Sequence, residues 1–207
     1  MKDIYNDLEA KGWSITTCDS DLLTFASTFG NPIPTRVGGP LVDELRLLSK
    51  TVAHSNSQSG RHGLGSFPFH VDGSHNKNIP KYIILRLKSP ERSLTQTLLC
   101  DPLKNISNSE KKTLTTEPWK FVSGRTGFYA PLLDERGLRY DPNVMHEAIR
   151  NPKSVKILEA AIRASNKSCI EWRKNLTAII DNRRLLHART RALEESENRI
   201  IERISII

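Results

Sequence analysis

The centre of this sequence is the heptapeptide Phe67-Pro68-Phe69-His70-Val71-Asp72-Gly73. Successive side chains of a β-strand point to opposite faces, so residues two apart share a face. On a strand, His70 and Asp72 would present an imidazole and a carboxylate side by side, which are two of the ligands that a metal ion takes in proteins. A histidine in so short a pattern is more often an ordinary surface or core residue. The metal interpretation therefore depends on what the rest of the chain supplies.

The composition is that of an ordinary globular protein. The chain has 207 residues, of which 37% are hydrophobic and 26% are charged, and this is enough for one domain with its own core. We therefore predict a single domain over residues 1–207. No apolar run approaches the roughly 20 residues that a membrane helix needs. The first residues also lack the apolar centre of a signal peptide.

The cysteines argue against a disulfide framework. Cys18, Cys100 and Cys169 are widely spaced and odd in number, and no C-x-x-C pattern occurs. Such spacing favours reduced thiols over disulfides or a zinc site. Together with the missing membrane and signal segments, this predicts a cytoplasmic protein.

The chain is basic, with a formal net charge of +8 and an isoelectric point near 9.5. Basic proteins often bind nucleic acid, but lysine and arginine are scattered here and form only short clusters such as Arg183-Arg184. No basic motif with interleaved aromatic residues for stacking bases is present. A site for anionic small molecules would also raise the charge. We expect a small-molecule substrate, with no nucleic-acid or membrane partner, and a homo-oligomer remains open.

The apolar patterns predict many short strands and a few helices. Periodicity and flanking cap or breaker residues predict helices over residues 2–11, 21–29, 107–115 and 151–165. The stronger strand candidates are residues 13–16, 45–48, 82–87, 95–100, 119–122, 138–140, 176–180, 183–188 and 199–206. This pattern predicts an α+β fold with a mainly β core, a double-stranded β-helix (jelly roll) flanked by helices.

Two local features add a predicted turn and a predicted loop to this fold. Asp181-Asn182 separates two apolar runs, and both residues tolerate positive φ, so we expect a tight hairpin there. The polar, glycine-rich segment 54–66 precedes the His70 strand. This segment is either a mobile lid over a site or a solvated linker.

The last predicted strand carries a pair of arginines. By alternation, Arg199, Ile201, Arg203 and Ser205 share one face. The two arginines are about 13 Å apart along a strand and could simply lie in solvent. If their face points into a barrel, each guanidinium needs an anion, because an unpaired buried charge is very costly. Arginine binds carboxylates through two parallel hydrogen bonds.

Three motifs, in this order, resemble those of the Fe(II)/2-oxoglutarate-dependent dioxygenases of the taurine dioxygenase and clavaminate synthase type. They are His70-x-Asp72, the segment 181–190, and Arg199-x3-Arg203. The resemblance covers most of the chain. It implies Fe(II) as the metal, with His70, Asp72 and His187 as its ligands, and 2-oxoglutarate and O2 as co-substrates.

The same resemblance implies roles for the residues around the co-substrate. Arg199 is expected to bind the far carboxylate of 2-oxoglutarate, with help from Thr97 on a strand between the iron motifs. Arg203 is expected to meet an anionic group of the substrate. The alternative for Arg203 is an internal partner such as Asp141 or another acidic side chain.

The implied activity is hydroxylation, or desaturation, of a small anionic or zwitterionic metabolite with release of succinate and CO2. An amino acid or a natural-product intermediate is the expected substrate. Two alternatives stay open: an AlkB-like oxidative demethylase of nucleic acid, which would account for the basic charge, and a jelly-roll binding module without catalytic activity.

Overall fold

The computed structural model describes residues 1–54, 57–192 and 198–207. Within these residues the α-helices are α1 (Lys2–Lys11), α2 (Leu22–Ser27), α3 (Gln58–His62), α4 (Asn108–Thr116) and α5 (Ser154–Ala164). The strands are β1 (Trp13–Thr17), β2 (Pro32–Ile33), β3 (Asp43–Arg46), β4 (Phe67–His70), β5 (Tyr82–Ser89), β6 (Arg92–Cys100), β7 (Trp119–Ser123), β8 (Thr126–Ala130), β9 (Leu133–Asp134), β10 (Gly137–Leu138), β11 (Met145–Glu147), β12 (Lys167–Arg173), β13 (Leu176–Asp181), β14 (Leu186–Arg189) and β15 (Ile200–Ile206). None of the described helices has the length and apolar character needed to cross a bilayer.

Two antiparallel sheets form the body of the molecule. The larger sheet has the order β1-β13-β5-β15-β2, with β3 also paired to β15, and the smaller sheet has the order β12-β6-β14-β4. Apolar side chains from both sheets meet in one buried cluster, which includes Leu85, Leu99, Trp172, Ile180 and Ile201. The predicted α+β fold, with its mainly β jelly-roll core, is confirmed.

The helices flank these sheets. Helices α1 and α2 cover the outer face of the larger sheet, where Ile4, Leu8, Leu22 and Ala26 pack against residues of β5, β13 and β15. Helices α4 and α5 pack with the small sheet β11-β7-β8 in a separate cluster. Local chemistry sets the helix ends: Ser107 and Glu110 form a capping box at the start of α4, and Gly12 ends α1 with φ of 83°.

The hairpin predicted at Asp181-Asn182 is wrong. Strand β13 pairs with β1 and β5 in the larger sheet, whereas β14 pairs with β4 and β6 in the smaller one. The backbone N–H of Leu185 donates to the carbonyl of Asp181, 2.9 Å away, and closes a single helical turn between the strands. This wider turn carries the chain from one sheet to the other, which a two-residue hairpin turn cannot do.

Candidate metal centre

Three of the predicted site residues come together at the wall of a cavity between the sheets. One ligand atom from each of His70, Asp72 and His187 can be chosen so that all three lie within 4.8 Å of one another. Oδ1 of Asp72 lies 3.4 Å from Nε2 of His70 and 3.5 Å from Nε2 of His187. Two imidazole nitrogens and one carboxylate oxygen form the donor set of a non-haem Fe(II) site.

Strand register places the two histidines. His70 ends β4 and lies opposite His187 on β14, and the two ring centroids are 4.3 Å apart. Opposite residues of antiparallel strands project from the same face. Nδ1 of His70 lies 2.9 Å from the carbonyl of Pro68, so the N–H at Nδ1 can donate and the lone pair of Nε2 is free for a metal.

Asp72 is placed by a residue whose role the sequence argument missed. Strand β4 ends at His70, so the expected strand alternation does not orient Asp72. Instead, the backbone N–H of Asp72 donates to Oδ1 of the buried Asn182 at 2.9 Å. Nδ2 of Asn182 donates in return to the carbonyls of Asp72 and Pro80, at 3.0 and 3.1 Å. In the sequence, the sole sign of Asn182 was its place in the turn before His187.

Arg139 fixes the turn that follows Asp72. It was predicted within a strand over residues 138–140, but β10 ends at Leu138. Its side chain is fully buried, and its guanidinium donates to the carbonyls of Ser74, Asn76 and Lys77. Burial lowers the pKa of Arg139 to about 10. One buried cation thus holds the loop behind the candidate metal ligand.

The second carboxylate oxygen of Asp72 is bound to Arg203. Nη1 of Arg203 lies 2.9 Å from Oδ2 of Asp72, and its Nη2 lies 3.1 Å from Oδ2 of the buried Asp43. Burial opposes ionisation of Asp72, but Arg203 and the two imidazoles outweigh it and hold the pKa of Asp72 well below its usual range. Asp72 is therefore ionised, with Oδ1 directed toward the histidines.

The two imidazoles differ in their tendency to take a proton. Burial, followed by the nearby His70, lowers the pKa of His187 and favours the neutral form that binds metals. Burial also acts to lower the pKa of His70, but the Asp72 carboxylate outweighs it and leaves that pKa raised. A metal ion would therefore displace a proton from His70 more often than from His187.

Arg199 and Thr97 line the same cavity, which has a volume of about 580 Å³. Arg199 is 6% exposed, forms no salt bridge within the described part of the chain, and has an unpartnered Nε. Burial lowers its pKa to about 10. A buried cation without a counter-charge is a place where an anionic ligand would be stabilised.

Arg189 links the segment before β4 to the strand of His187. Its Nη2 donates to the carbonyls of Gly63 and Gly65, and its guanidinium carbon lies 3.6 Å from the ring centroid of Phe67. In the predicted segment 54–66, residues 55 and 56 lie outside the described residues. The remainder includes α3, where Nε2 of Gln58 donates to Asp141 at 3.2 Å, and it forms part of the cavity wall. Its role as a lid stays a prediction.

Solved structures with the same architecture identify the fold. Asparagine oxygenase (AsnO) in complex with Fe(II), 2S,3S-3-hydroxyasparagine and succinate superposes with a TM-score of 0.77 at 16% identity, over 100% of this chain and 78% of that chain. The non-heme iron oxygenase OrfP in complex with Fe, succinate and (3S)-hydroxy-L-Arg gives a TM-score of 0.76 at 15% identity, over 100% and 79%. The chain has the fold of the Fe(II)/2-oxoglutarate-dependent oxygenases.

A third neighbour with this oxygenase fold is PvcB, an Fe, alpha-ketoglutarate dependent oxygenase from an isonitrile synthetic pathway, and alpha-ketoglutarate is another name for 2-oxoglutarate. It has a TM-score of 0.69 at 17% identity, over 99% of this chain and 79% of that chain. No family model matches the sequence, and no curated protein matches it. The oxygenase fold was predicted from three short motifs. The structural similarity to AsnO, OrfP and PvcB confirms it.

Asn182→Ala is expected to weaken metal binding. The change leaves the backbone groups of Asp72 without partners, and loss of a residue that orients a ligand typically costs about 10- to 100-fold in metal affinity. Titration with Mn²⁺ measures this loss. Asn105→Ala, which removes a hydrogen bond to Ser165 outside the cavity, is the control and should keep the wild-type affinity. Equal affinities in both variants would contradict the role given to Asn182.

Proposed function

We propose that this protein is an Fe(II)- and 2-oxoglutarate-dependent oxygenase that hydroxylates a small zwitterionic metabolite, with an amino acid as the substrate class, and acts as one domain. The observation that carries this proposal is the position of His70, Asp72 and His187 in one cavity with Arg199. A metal donor set and a buried cation without an acidic partner are the two sites that an iron-chelating dicarboxylate requires.

The residues fit the metal and the co-substrate. His70, Asp72 and His187 would hold Fe(II) and leave coordination positions open for 2-oxoglutarate and O2, and the bound iron would supply the oxidation chemistry. Arg199 would hold the far carboxylate of 2-oxoglutarate in a buried site where charge pairing is strong. Thr97, also buried in this cavity, would donate a hydrogen bond to the same group.

A buried carboxylate of the cavity wall bears on the class of substrate. Asp141 is 6% exposed and forms no salt bridge among the described residues. Its oxygens accept hydrogen bonds from Nε2 of Gln58 and from the backbone and side chain of Asn143. A carboxylate has about four acceptor positions, so one remains for an N–H group of a ligand. We therefore propose that the substrate carries an ammonium, amide or guanidinium group.

The neighbouring structures support an amino-acid substrate. The AsnO complex contains a hydroxylated asparagine, and the OrfP complex contains a hydroxylated arginine. Both molecules carry an ammonium group and a side chain with further N–H donors. The free acceptor position of Asp141 suits either kind of donor.

The role of Arg203 has two competing descriptions. The sequence predicts that it binds a substrate anion, and its side chain is 20% exposed at the cavity. Its guanidinium is already bound to Asp72 and Asp43, which are internal acidic partners of the kind expected in the alternative, although Asp141 is not one of them. We propose that Arg203 compensates the charge of Asp72 and Asp43, and that any contact with the substrate is additional.

The two alternatives to a small-molecule oxygenase are not favoured. For a binding module without catalysis, the His70-x-Asp72 pattern would be accidental, whereas its side chains converge with His187. For an AlkB-like demethylase, the basic charge was the supporting feature. Buried arginines at an anion site also add positive charge, so the basic composition alone does not favour nucleic acid as the substrate.

The decisive experiment measures succinate. The purified protein, supplied with Fe(II), 2-oxoglutarate and O2, is screened against free amino acids, and one of them should raise succinate production above the uncoupled background. The product should gain one oxygen atom by mass spectrometry, or lose two hydrogens if it is desaturated. A protein that binds Fe(II) but never 2-oxoglutarate would contradict the proposal.

Asp72→Ala should abolish this turnover. The change removes the only carboxylate of the donor set among the described residues, so Fe(II) affinity falls while the sheets remain packed. Turnover and Fe(II) binding are measured together, with circular dichroism as the check on folding. Asp134→Ala, which removes an acid paired with Arg136 near the surface, is the matched control and should keep full activity.

Arg199→Ala should weaken 2-oxoglutarate binding far more than substrate binding. Loss of a charge-assisted pair that leaves its partner buried costs about 2–5 kcal/mol, which is at least roughly 30-fold in affinity. The measurement is the KM for each of the two molecules. Arg136→Ala, at a partly exposed arginine, should leave both constants unchanged. A similar rise in both constants for Arg199→Ala would contradict the assignment.

Arg203→Gln should lower the free energy of unfolding of the metal-free protein. Removing Arg203 leaves the buried Asp72 without its arginine partner, at a cost of about 3–5 kcal/mol, whereas Asp43 keeps its ion pair with Arg36 at 3.4 Å. Denaturant unfolding measures this cost. Arg86→Gln, which breaks the Arg86–Glu202 pair on the larger sheet, should also destabilise the protein but spare metal binding. Unchanged stability of Arg203→Gln with a raised substrate KM would instead support the substrate role.

A further inference from the structure

Trp172 lies behind the residues that would hold 2-oxoglutarate, and the mechanism above gives it no role. It is a fully buried residue of β12, with 0% of its surface exposed. Strand β12 pairs with β6 so that Ile170 lies opposite Thr97, but Trp172 lies opposite Ser93 rather than Thr95. This irregularity places additional residues on β6. Such bulges re-aim side chains and are common near active sites.

The re-aimed indole reaches Thr97. Nε1 of Trp172 lies 3.1 Å from Oγ1 of Thr97. An indole N–H can only donate, so Oγ1 is the acceptor in this hydrogen bond. The hydroxyl hydrogen of Thr97 is therefore left to donate in another direction, and Thr97 lines the cavity. An anion in that cavity would find a hydroxyl already oriented as a donor.

The same indole also faces Arg199. The guanidinium carbon of Arg199 lies 6.0 Å from the centroid of the Trp172 ring, which is at the outer limit of a cation–π contact. Both groups proposed to hold the far carboxylate of 2-oxoglutarate therefore adjoin one rigid side chain. Close packing in the core fixes the Trp172 indole. The fixed indole therefore restricts rotation of the Thr97 and Arg199 side chains.

We propose that Trp172 is a positioning residue for 2-oxoglutarate, which fixes the Thr97 hydroxyl as a hydrogen-bond donor and supports the Arg199 guanidinium. This inference rests on the proposed function. It assigns Trp172 no contact with the reacting atoms. Its effect is on the affinity for the co-substrate, because a preoriented donor loses less freedom when the carboxylate binds.

The chain offers a matched control for the key hydrogen bond. Trp119 is also buried, and its Nε1 donates to Oγ of Ser154 at 2.9 Å. In this second pair, Ser154 is the first residue of helix α5, and neither Trp119 nor Ser154 lines the cavity. Trp119→Phe and Trp172→Phe thus remove the same kind of indole–hydroxyl bond, but only the second bond adjoins the proposed co-substrate site.

The experiment measures 2-oxoglutarate affinity without turnover. Anaerobic titration of the Fe(II)-loaded protein follows the visible charge-transfer band, and thermal melting is recorded for each variant. Trp172→Phe should weaken the affinity about 3- to 10-fold, as expected for the loss of one hydrogen bond. Both variants should lower the melting temperature to a similar extent. Trp119→Phe should nevertheless keep the wild-type affinity for 2-oxoglutarate. Equal affinities in the two variants would overturn the proposal.

A double-mutant cycle tests whether Trp172 acts through Thr97. Thr97→Val alone should weaken 2-oxoglutarate binding, and Trp172→Phe should add less than twofold once Thr97 is replaced. Independent, multiplying effects would show that Trp172 does not act through the hydroxyl, and would overturn that part of the proposal. Thr97→Ser, which keeps the hydroxyl, should retain most of the wild-type affinity.

A second measurement needs no change at Trp172. The sequence contains three tryptophans, so Trp13→Phe combined with Trp119→Phe leaves Trp172 as the sole indole fluorophore. Its emission should change when 2-oxoglutarate is added to the protein loaded with Mn²⁺. If the fluorescence emission of Trp172 stays unchanged at saturating 2-oxoglutarate, the co-substrate does not bind beside the indole, and the inference is overturned. If the wild type itself binds no 2-oxoglutarate, the proposed function fails first, and the two failures are thereby distinguished.

Discussion

The burial of one carboxylate constrains this whole molecule. Asp72 is held between two imidazoles in a cavity, and its charge is stable there because Arg203 reaches it from the opposite sheet. Burying the ionised carboxylate without such a partner would cost several kcal/mol. The carboxylate would be protonated instead. The ion pair therefore requires that β15 of the larger sheet faces the end of β4 in the smaller sheet.

The cavity is lined by buried groups of both charges. Among the described residues, Arg199 and Arg189 line it without acidic partners, and Asp141 lines it without a basic one. In the proposed function, the metal ligands would meet both the co-substrate and the substrate. The co-substrate carboxylate and the substrate N–H group would then each find a group of opposite charge, and like-charge repulsion would oppose their exchange.

Much of the fold was predictable because its signals are local. Alternation along the last strand correctly placed Arg199, Ile201, Arg203 and Ser205 together, and all four line the cavity. The three motifs also predicted the oxygenase fold.

The hairpin prediction was wrong because turn residues indicate only that the chain changes direction. They do not indicate which sheet the next strand joins. The expected strand position of Asp72 failed for a similar reason, since a partner more than a hundred residues away holds it. Trp172 and Asn182 act through such distant contacts, which no local pattern contains.

The crossover between β13 and β14 also governs when a metal ion could bind during folding. His70 and His187 belong to the smaller sheet, whereas the backbone of Asp72 is held by Asn182 in the connection that leaves the larger sheet. The complete donor set therefore exists only after both sheets have docked. A metal ion would stabilise the native state selectively, by mass action, and would give little to a partly folded chain with only one sheet formed. Removal of a bound metal ion would then lower the free energy of unfolding of the whole two-sheet core.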